Sequence, residues 1–269
     1  MTRTLVVLAK ELRDLARNWG ILIALLLPAI MIPTFAILVL YVAGNPPEGL
    51  PPEALMPPSD ATLPLPLQGA PSPALAQYAA LAPFFMIWLL FPVTMPSILA
   101  ATSIVGEKEA GTLEPLLATP IRTWELLLGK ALASVLPALA LTWLPFVGLV
   151  VAAQRLAPPE VLQVTVLSAP WLFGIFVLAP SLTLLTVMFL VIVSAWVTEV
   201  RTANQLGAVL IAPLVAMIVI QITRGLTLTM GTVLGIWGVV LALLAITLPV
   251  AVRLFQRETI LVRWKQSGG

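Results

Sequence analysis

The chain has 269 residues, of which 60% are hydrophobic and 10% are charged, and its formal net charge is +2. A soluble domain carries about 25% charged residues, so this composition indicates a membrane protein. Cys and His are both absent, which excludes disulfides, thiol nucleophiles, His-ligated zinc and His-based catalytic triads. The basic residues do not form one stripe, so we expect no nucleic acid partner.

The N-terminal residues 2–19 are predicted to form an amphipathic helix. Leucines recur at a spacing of three or four residues from Leu5 to Leu15, and Lys10, Arg13 and Arg17 recur on another face. Such a helix lies along a membrane surface, with its apolar face in the lipid and its cations near anionic headgroups. The sequence therefore predicts an N-terminal interfacial helix and membrane lipid as a partner.

Six apolar runs follow that are long enough to cross a membrane, since a spanning helix needs about 20 residues. They are far longer than the alternating segments of a membrane β-barrel, which are about 10 residues, so helices are predicted. The expected fold is an all-α membrane protein with six transmembrane helices. The predicted runs are 20–43, 79–105, 131–153, 170–198, 206–223 and 230–252.

The connections between these runs differ sharply in their Lys and Arg content. Twelve of the fourteen basic residues lie in the N-terminal segment, the second and fourth connections and the tail 253–269. This asymmetry predicts that both termini are cytoplasmic. The first connection, 44–78, has ten prolines and no basic residue, and it is predicted to be an external loop. The whole chain, 1–269, is interpreted as a single transmembrane domain.

The segment 106–130 is the most polar part of the chain. It holds seven of the 26 charged residues between two long apolar runs. Gly106 suits the end of the second span, the acids after it favour a new helix start, and Pro120 interrupts that helix. Gly106 and Gly111 have the spacing of a phosphate-binding loop, but Thr112 stands where that motif needs Lys. The pattern predicts a cytoplasmic helix that lacks an ATP site and contacts a soluble partner.

The sequence GEKEAGTLEPLLATPI at 106–121, followed by LLLGK at 126–130, resembles the signature of ABC transporter permeases of the type-2 exporter class. The pattern in that family is approximately E-(K/R)-E-x-G-T-(L/I)-E-x-L-L-x-(T/S)-P. Residues 257–261, RETIL, are similar to the C-terminal end of the family, and residues 10–14, KELRD, resemble its first helix.

The resemblance implies six spans per permease, two permeases per transporter and a separate ATPase on each. It implies that 106–130 is a coupling segment, and that ATP and Mg²⁺ are bound by the partner, with no cofactor in this chain. The implied setting is the cytoplasmic (inner) membrane of a prokaryote, as a multi-pass homodimer that exports a substrate. The positions carried over as ATPase contacts are Glu107, Lys108, Glu109, Thr112 and Glu114.

Polar residues inside the apolar runs have two interpretations. Their side chains can hydrogen-bond to helix backbones, or they can line a translocation path. The candidates for the path are Thr142, Ser181, Thr183 and Gln221. No charged residue lies inside a predicted run, which weighs against a proton-coupled carrier. Two alternatives to an ATP-driven permease stay open at this point: a membrane-embedded enzyme of lipid metabolism and a secondary carrier driven by an ion gradient.

Overall fold

The computed structural model describes residues 3–47, 63–109, 123–224 and 229–254. Within these ranges the chain is helical and forms no strand, which confirms the all-α class. The α-helices are α1 Arg3–Arg17, α2 Trp19–Gly44, α3 Ser72–Leu81, α4 Phe84–Trp88, α5 Phe91–Ala100, α6 Gly106–Glu109, α7 Thr123–Leu156, α8 Pro159–Val164, α9 Ala169–Phe173, α10 Ala179–Ser194, α11 Val200–Gly207, α12 Ala212–Arg224 and α13 Met230–Leu254.

Five stretches of the described chain are long and apolar enough to cross a membrane, and a sixth is counted if a bent helix pair forms one span. In chain order they are span 1 Trp19–Gly44, span 2 Ser72–Ser103, span 3 Leu128–Leu156, span 4 Ala169–Ser194, the bent pair Val200–Leu210 with Ala212–Thr223 (41°) as span 5, and span 6 Met230–Leu254. The end of the bundle that holds α1, α6 and α11 is called the α1 end below.

The boundaries of span 2 differ from the sequence prediction. Its first helix begins at Ser72, inside the predicted external loop 44–78, and not at residue 79. Pro71 and Pro73 flank this start, and proline is accepted in the first turn of a helix because the N–H groups there have no helical partner. These two of the ten prolines that predicted a loop therefore mark a helix N-terminus. Residues 48–62 lie outside the described chain.

Prolines also divide span 2 into short helices. Pro83 lies at the break between α3 and α4, and Pro92 lies in the first turn of α5. A proline inside a helix removes one backbone hydrogen bond and clashes with the preceding turn. At the first break the carbonyl of Ala82 accepts a hydrogen bond from Nε2 of Gln221 in span 5, at 2.8 Å. A side chain from a neighbouring span thus satisfies a carbonyl at the break.

Span 4 contains a π-turn at Gly174–Leu178, which is explained by a proline and by a tryptophan of the neighbouring span. The N–H of Ala179 bonds to the carbonyl of Gly174, five residues back. In the same register the next donor would be residue 180, which is proline and has no N–H. The carbonyl of Ile175 instead accepts a hydrogen bond from the indole of Trp143 in span 3, at 3.0 Å.

Spans 2 and 4 form the centre of the bundle. In the most apolar part of span 2, 78% of the residues are buried, and in that of span 4, 56% are buried. In spans 1, 3 and 6 at most 22% of these residues are buried. Trp88, which is fully buried, lies between Phe91 and Phe146 in edge-on contacts and donates to the carbonyl of Thr142 at 3.0 Å. The outer spans therefore present broad apolar faces to their surroundings.

The end of the bundle opposite α1 is held by a buried glutamine. Nε2 of Gln77 donates to the carbonyl of Leu156 at 2.8 Å and lies 3.4 Å from that of Leu40. A Cβ atom at Gly44 would overlap this amide, so the glycine is needed for the close approach. One side chain of span 2 therefore joins the ends of spans 1 and 3.

Candidate coupling site

The buried ammonium of Lys130 is the centre of a charged cluster at the α1 end. The Lys130 side chain is 2% exposed, although it lies in the first turn of span 3. Its Nζ donates to Oε1 of Glu11 at 2.9 Å and to the carbonyl of Ser103 at 2.7 Å, and it forms an ion pair with Oε2 of Glu107 at 2.9 Å. A buried charge needs such partners because desolvation costs several kcal/mol per ion.

Three further contacts complete this cluster. The hydroxyl of Ser103 donates to Oε2 of Glu11 at 2.7 Å, and Nζ of Lys10 donates to Oε1 of Glu107 at 3.0 Å. The side chains of Glu11 and Glu107 are 11% and 13% exposed, whereas that of Lys10 is 50% exposed. The negative charges of two acids therefore balance the positive charges of two bases. Lys130 is the most buried of the four, and Lys10 is the most exposed to water. We call Lys10, Glu11, Ser103, Glu107 and Lys130 the Lys130 cluster.

Local sequence explains how three separate parts of the chain reach one point. A Cβ atom on Gly129 would lie 2.8 Å from Cβ of Val7, so only glycine lets α1 pack this closely against the start of α7. Val7 and Thr4 form the buried face of α1, and Glu11, one turn further on, reaches Lys130. Ser103 lies in a π-turn, Ala101–Val105, that ends span 2. Such turns are frequent at functional sites.

The charges of the cluster shift the pKa values of both α1 members. Burial acts to raise the pKa of Glu11, but the Lys130 charge, hydrogen bonds from Ser103 and Lys130, and the Lys10 charge outweigh it, so the pKa lies below the ordinary 4.5. Burial acts to lower the pKa of Lys10, but its hydrogen bond and charge interaction with Glu107, helped by Glu11 and Asp14, raise it. Both groups are therefore held in their charged forms.

A pH dependence of stability follows from Glu11. A carboxyl whose pKa is lowered by folding contributes stability above its unfolded pKa, and this contribution is lost as the pH falls through the lower folded pKa. We expect the melting temperature in detergent to fall on acidification below about pH 4.5, and to fall less in Glu11→Gln. Thermal unfolding followed by tryptophan fluorescence measures this. Parallel pH curves for the two proteins would contradict the assignment.

A second contact joins α6 to span 5. Oε2 of Glu109 accepts a hydrogen bond from the backbone N–H of Val200 at 3.1 Å, at the start of α11. An acid at this place is favoured because the unpaired N–H groups of a helix start carry partial positive charge. Glu109 is exposed, so this bond competes with water. An open groove lies beside it, lined by Glu109, Glu199, Val200, Arg201, Asn204, Gln205 and Ala208.

The predicted ATPase contacts are placed unequally. Glu107 points into the chain, onto Lys130 and Lys10, and Glu109 points to the start of α11. The side chain of Lys108, together with Thr112 and Glu114, lies outside the described part of the chain. The contact of these five residues with an ATPase stays a prediction, and Glu107 also has a role within the chain that the sequence had not indicated.

The candidates for the translocation path lie on three spans, and each of them makes at least one hydrogen bond to the protein. The hydroxyls of Thr142, Ser181 and Thr183 donate to carbonyls four residues earlier, at 2.8–2.9 Å. Ser181 also accepts from the indole of Trp237, and Gln221 donates to Ala82. Thr142 and Thr183 are fully buried, and Oε1 of Gln221 is buried without a hydrogen-bond partner. Their role in a path stays a prediction.

The sequence indicated none of the Lys130 cluster except the ionic character of its parts. The sequence predicts a third run that begins at residue 131, just after Lys130, whereas span 3 begins at Leu128. A signal was present: Gly129-Lys130 stands at a membrane boundary, and Lys10-Glu11 stands on the predicted interfacial helix. The pairing itself depends on tertiary packing.

A comparison with known protein families decides the class. The family described as ABC-2 family transporter protein matches residues 5–252, nearly the whole chain. The chain belongs to the ABC-2 transporter family. It is therefore a multi-pass transmembrane permease of an ABC transporter, in agreement with the resemblance seen in the sequence and with the five or six spans of the bundle. No curated protein matches this permease significantly.

Proposed function

We propose that this permease is the transmembrane subunit of an ATP-driven exporter, working as a homodimer with separate ATPase subunits. ATP and Mg²⁺ bind to the ATPases, and the segment 106–130 receives their motion. The α1 end faces the cytoplasm of a prokaryote, because twelve of the fourteen basic residues belong to the N-terminal segment, the two connections and the tail assigned to that side.

The observation that carries this proposal is the connectivity of α6, the four-residue helix with which segment 106–130 begins. Glu107 is bonded to α1 through Lys10 and to span 3 through Lys130, and Glu109 is bonded to the start of span 5. A force applied to this segment therefore reaches three parts of the bundle directly. An ordinary connecting loop has no need of such bonds.

The energy for transport comes from differential binding. ATP favours closed ATPases, and closure shifts the permease only if the two states of the coupled complex bind ATP with different affinity. Interfacial helix α1 takes part at the membrane surface. Arg13 and Arg17 of α1, and Trp19 at the start of α2, are exposed there and suited to an interface with anionic headgroups.

The proposed docking is tested by charge reversal at both ends of the bundle. Glu114→Lys alters the coupling segment, and Glu160→Lys alters an exposed residue of α8 at the opposite end. Tagged permease is extracted gently from its native membrane, and co-purified proteins are identified and quantified by mass spectrometry. We expect a P-loop ATPase in near-equal amount with wild type and Glu160→Lys, and a loss of at least about tenfold with Glu114→Lys, since close charge pairs contribute more than 1.4 kcal/mol.

The outcomes separate the alternatives. A permease that purifies without any ATPase, from a membrane that contains such ATPases, would contradict the proposal. Uptake in ATP-free vesicles driven by an ion gradient would favour a secondary carrier. Loss of a lipid-modifying activity on mutation of a single acid, with no ATPase present, would favour the membrane enzyme.

A further inference from the structure

We propose that Lys130 is a positioning residue that fastens α1 and the start of segment 106–130 to span 3, so that these three parts move as one body. This inference rests on the proposed function, in which the ATPases supply the motion. It adds that α6 moves relative to α11, at the hydrogen bond from the N–H of Val200 to Glu109. It follows from the unequal strength of the contacts on the two sides of α6.

On one side of α6 the contacts are buried and charged. Lys130 is 2% exposed and has three oxygen partners within 2.9 Å, on α1, the π-turn and α6. Pulling any of these parts away would leave an ammonium or a carboxylate unpaired in a low-dielectric setting, which costs far more than an exposed bond. Helices α1 and α7 are also in close steric contact at Gly129. This side therefore resists separation.

On the other side the described polar contact of α6 is exposed and readily replaced. Helix α11 also packs on the π-turn through a buried apolar cluster that includes Val105 and Ala203, but apolar packing is non-directional and allows small displacements. Glu109 accepts a single hydrogen bond from Val200, and water can take the place of either partner. The groove beside this bond is already open, and its lining includes the polar residues Glu199, Asn204 and Gln205. Motion of α6 relative to α11 thus has a lower cost than motion of α6 relative to α1.

The chain has no Cys, so pairs of introduced cysteines can be spin-labelled without background. Pair A, Arg17→Cys with Leu128→Cys, joins exposed sites on α1 and α7, inside the proposed body. Pair B, Arg17→Cys with Gln205→Cys, joins α1 to an exposed site on α11, outside the proposed body. Distances are measured by pulsed electron paramagnetic resonance on the permease alone and on its complex with the ATPase, with ADP and with ATP plus vanadate. Labelled chains are mixed with excess unlabelled chains, so that a dimer carries at most one labelled copy and the distance lies within one chain.

We expect pair A to give one narrow distance in both nucleotide states and pair B to shift between them. In Lys130→Met the pair A distribution should broaden about twofold or more, because the two acids lose their buried counter-ion. Glu11→Gln, a milder variant of the same volume, should broaden it as well. Arg155→Met, which removes an exposed cation from the other end of α7, should leave pair A narrow.

Two results would overturn the inference. One is a wild-type pair A that shifts as much as pair B between nucleotide states. The other is a pair A that stays narrow in both Lys130→Met and Glu11→Gln. Because the second comparison uses the permease alone, it is decided even if no ATPase associates, so a failure of the fastening role and a failure of the proposed function are distinguished.

Discussion

Replacing Lys130 by methionine is expected to lower the free energy of unfolding by about 3–5 kcal/mol, the usual cost of leaving a buried ion pair with one partner. Methionine matches the length of the lysine stem but gives Glu11 and Glu107 no positive charge. Ser103 loses a donor to its carbonyl at the same time. Unfolding is followed in detergent by heat or by denaturant.

The matched control is Arg155→Met, on the same helix and exposed, which should change the stability by no more than about 0.5 kcal/mol. A second comparison separates charge from shape. The triple variant Glu11→Gln, Glu107→Gln, Lys130→Met removes the stranded charges, and it should recover much of the loss because buried ionic groups are often replaceable as a set. Equal effects of Lys130→Met and Arg155→Met would contradict the description of the cluster.

The second large effect is expected at Gly174. A Cβ atom there would lie 2.4 Å from two ring atoms of Phe85, which is fully buried and is held 5.3 Å from the ring of Trp171. The ring cannot swing away, so the π-turn of span 4 would have to move. We expect Gly174→Ala to cost about 1–3 kcal/mol and Gly174→Val more, as for other overpacked cores.

Gly148 in span 3 supplies the control, since nothing lies within 4 Å of the position of its Cβ. Gly148→Ala should be neutral or stabilising by up to about 1 kcal/mol, because alanine is the better helix former. Melting temperatures of the two alanine variants are compared in the same detergent. A melting temperature for Gly174→Ala as high as that for Gly148→Ala would contradict the packing of span 4 on Phe85.

Sequence periodicity and length were sufficient for the outer architecture. The first and sixth runs, 20–43 and 230–252, match helices Trp19–Gly44 and Met230–Leu254 to within two residues. The length of the apolar run is enough to predict each of these two spans, and this length can be read without knowledge of tertiary contacts. The amphipathic N-terminal helix was predicted equally well, because its pattern of leucines is a local property.

The interruptions of the helices were predicted less well. Prolines 71 and 73 were interpreted as loop residues, but they begin a helix. The π-turn before Pro180 follows from the missing N–H only once the partner of Ile175, the indole of Trp143, is known. A proline restricts the backbone, whereas the choice between a loop, a helix start and a kink depends on which neighbouring groups satisfy the freed carbonyls.

The sequence predicts the charged segments of the candidate site, but not how their side chains pair. The charged segment 106–130 and the cations of α1 were found, because charges between apolar runs stand out in composition. Their pairing through Lys130 was missed, because residues 11, 103, 107 and 130 meet only after α1 folds back on the start of span 3. Glu11 is 92 residues from Ser103 and 119 residues from Lys130 in the sequence, and such separations carry no local signal for a contact.

The central claim, that segment 106–130 receives an ATPase, is tested most directly by photo-crosslinking in the native membrane. A photoreactive amino acid replaces Glu114 in one protein and Glu160, at the opposite end of the bundle, in the other. We expect an adduct with a P-loop ATPase from position 114 and none from position 160. An ATPase adduct from position 160, or no adduct from 114 in a permease that still co-purifies with its ATPase, would contradict this claim.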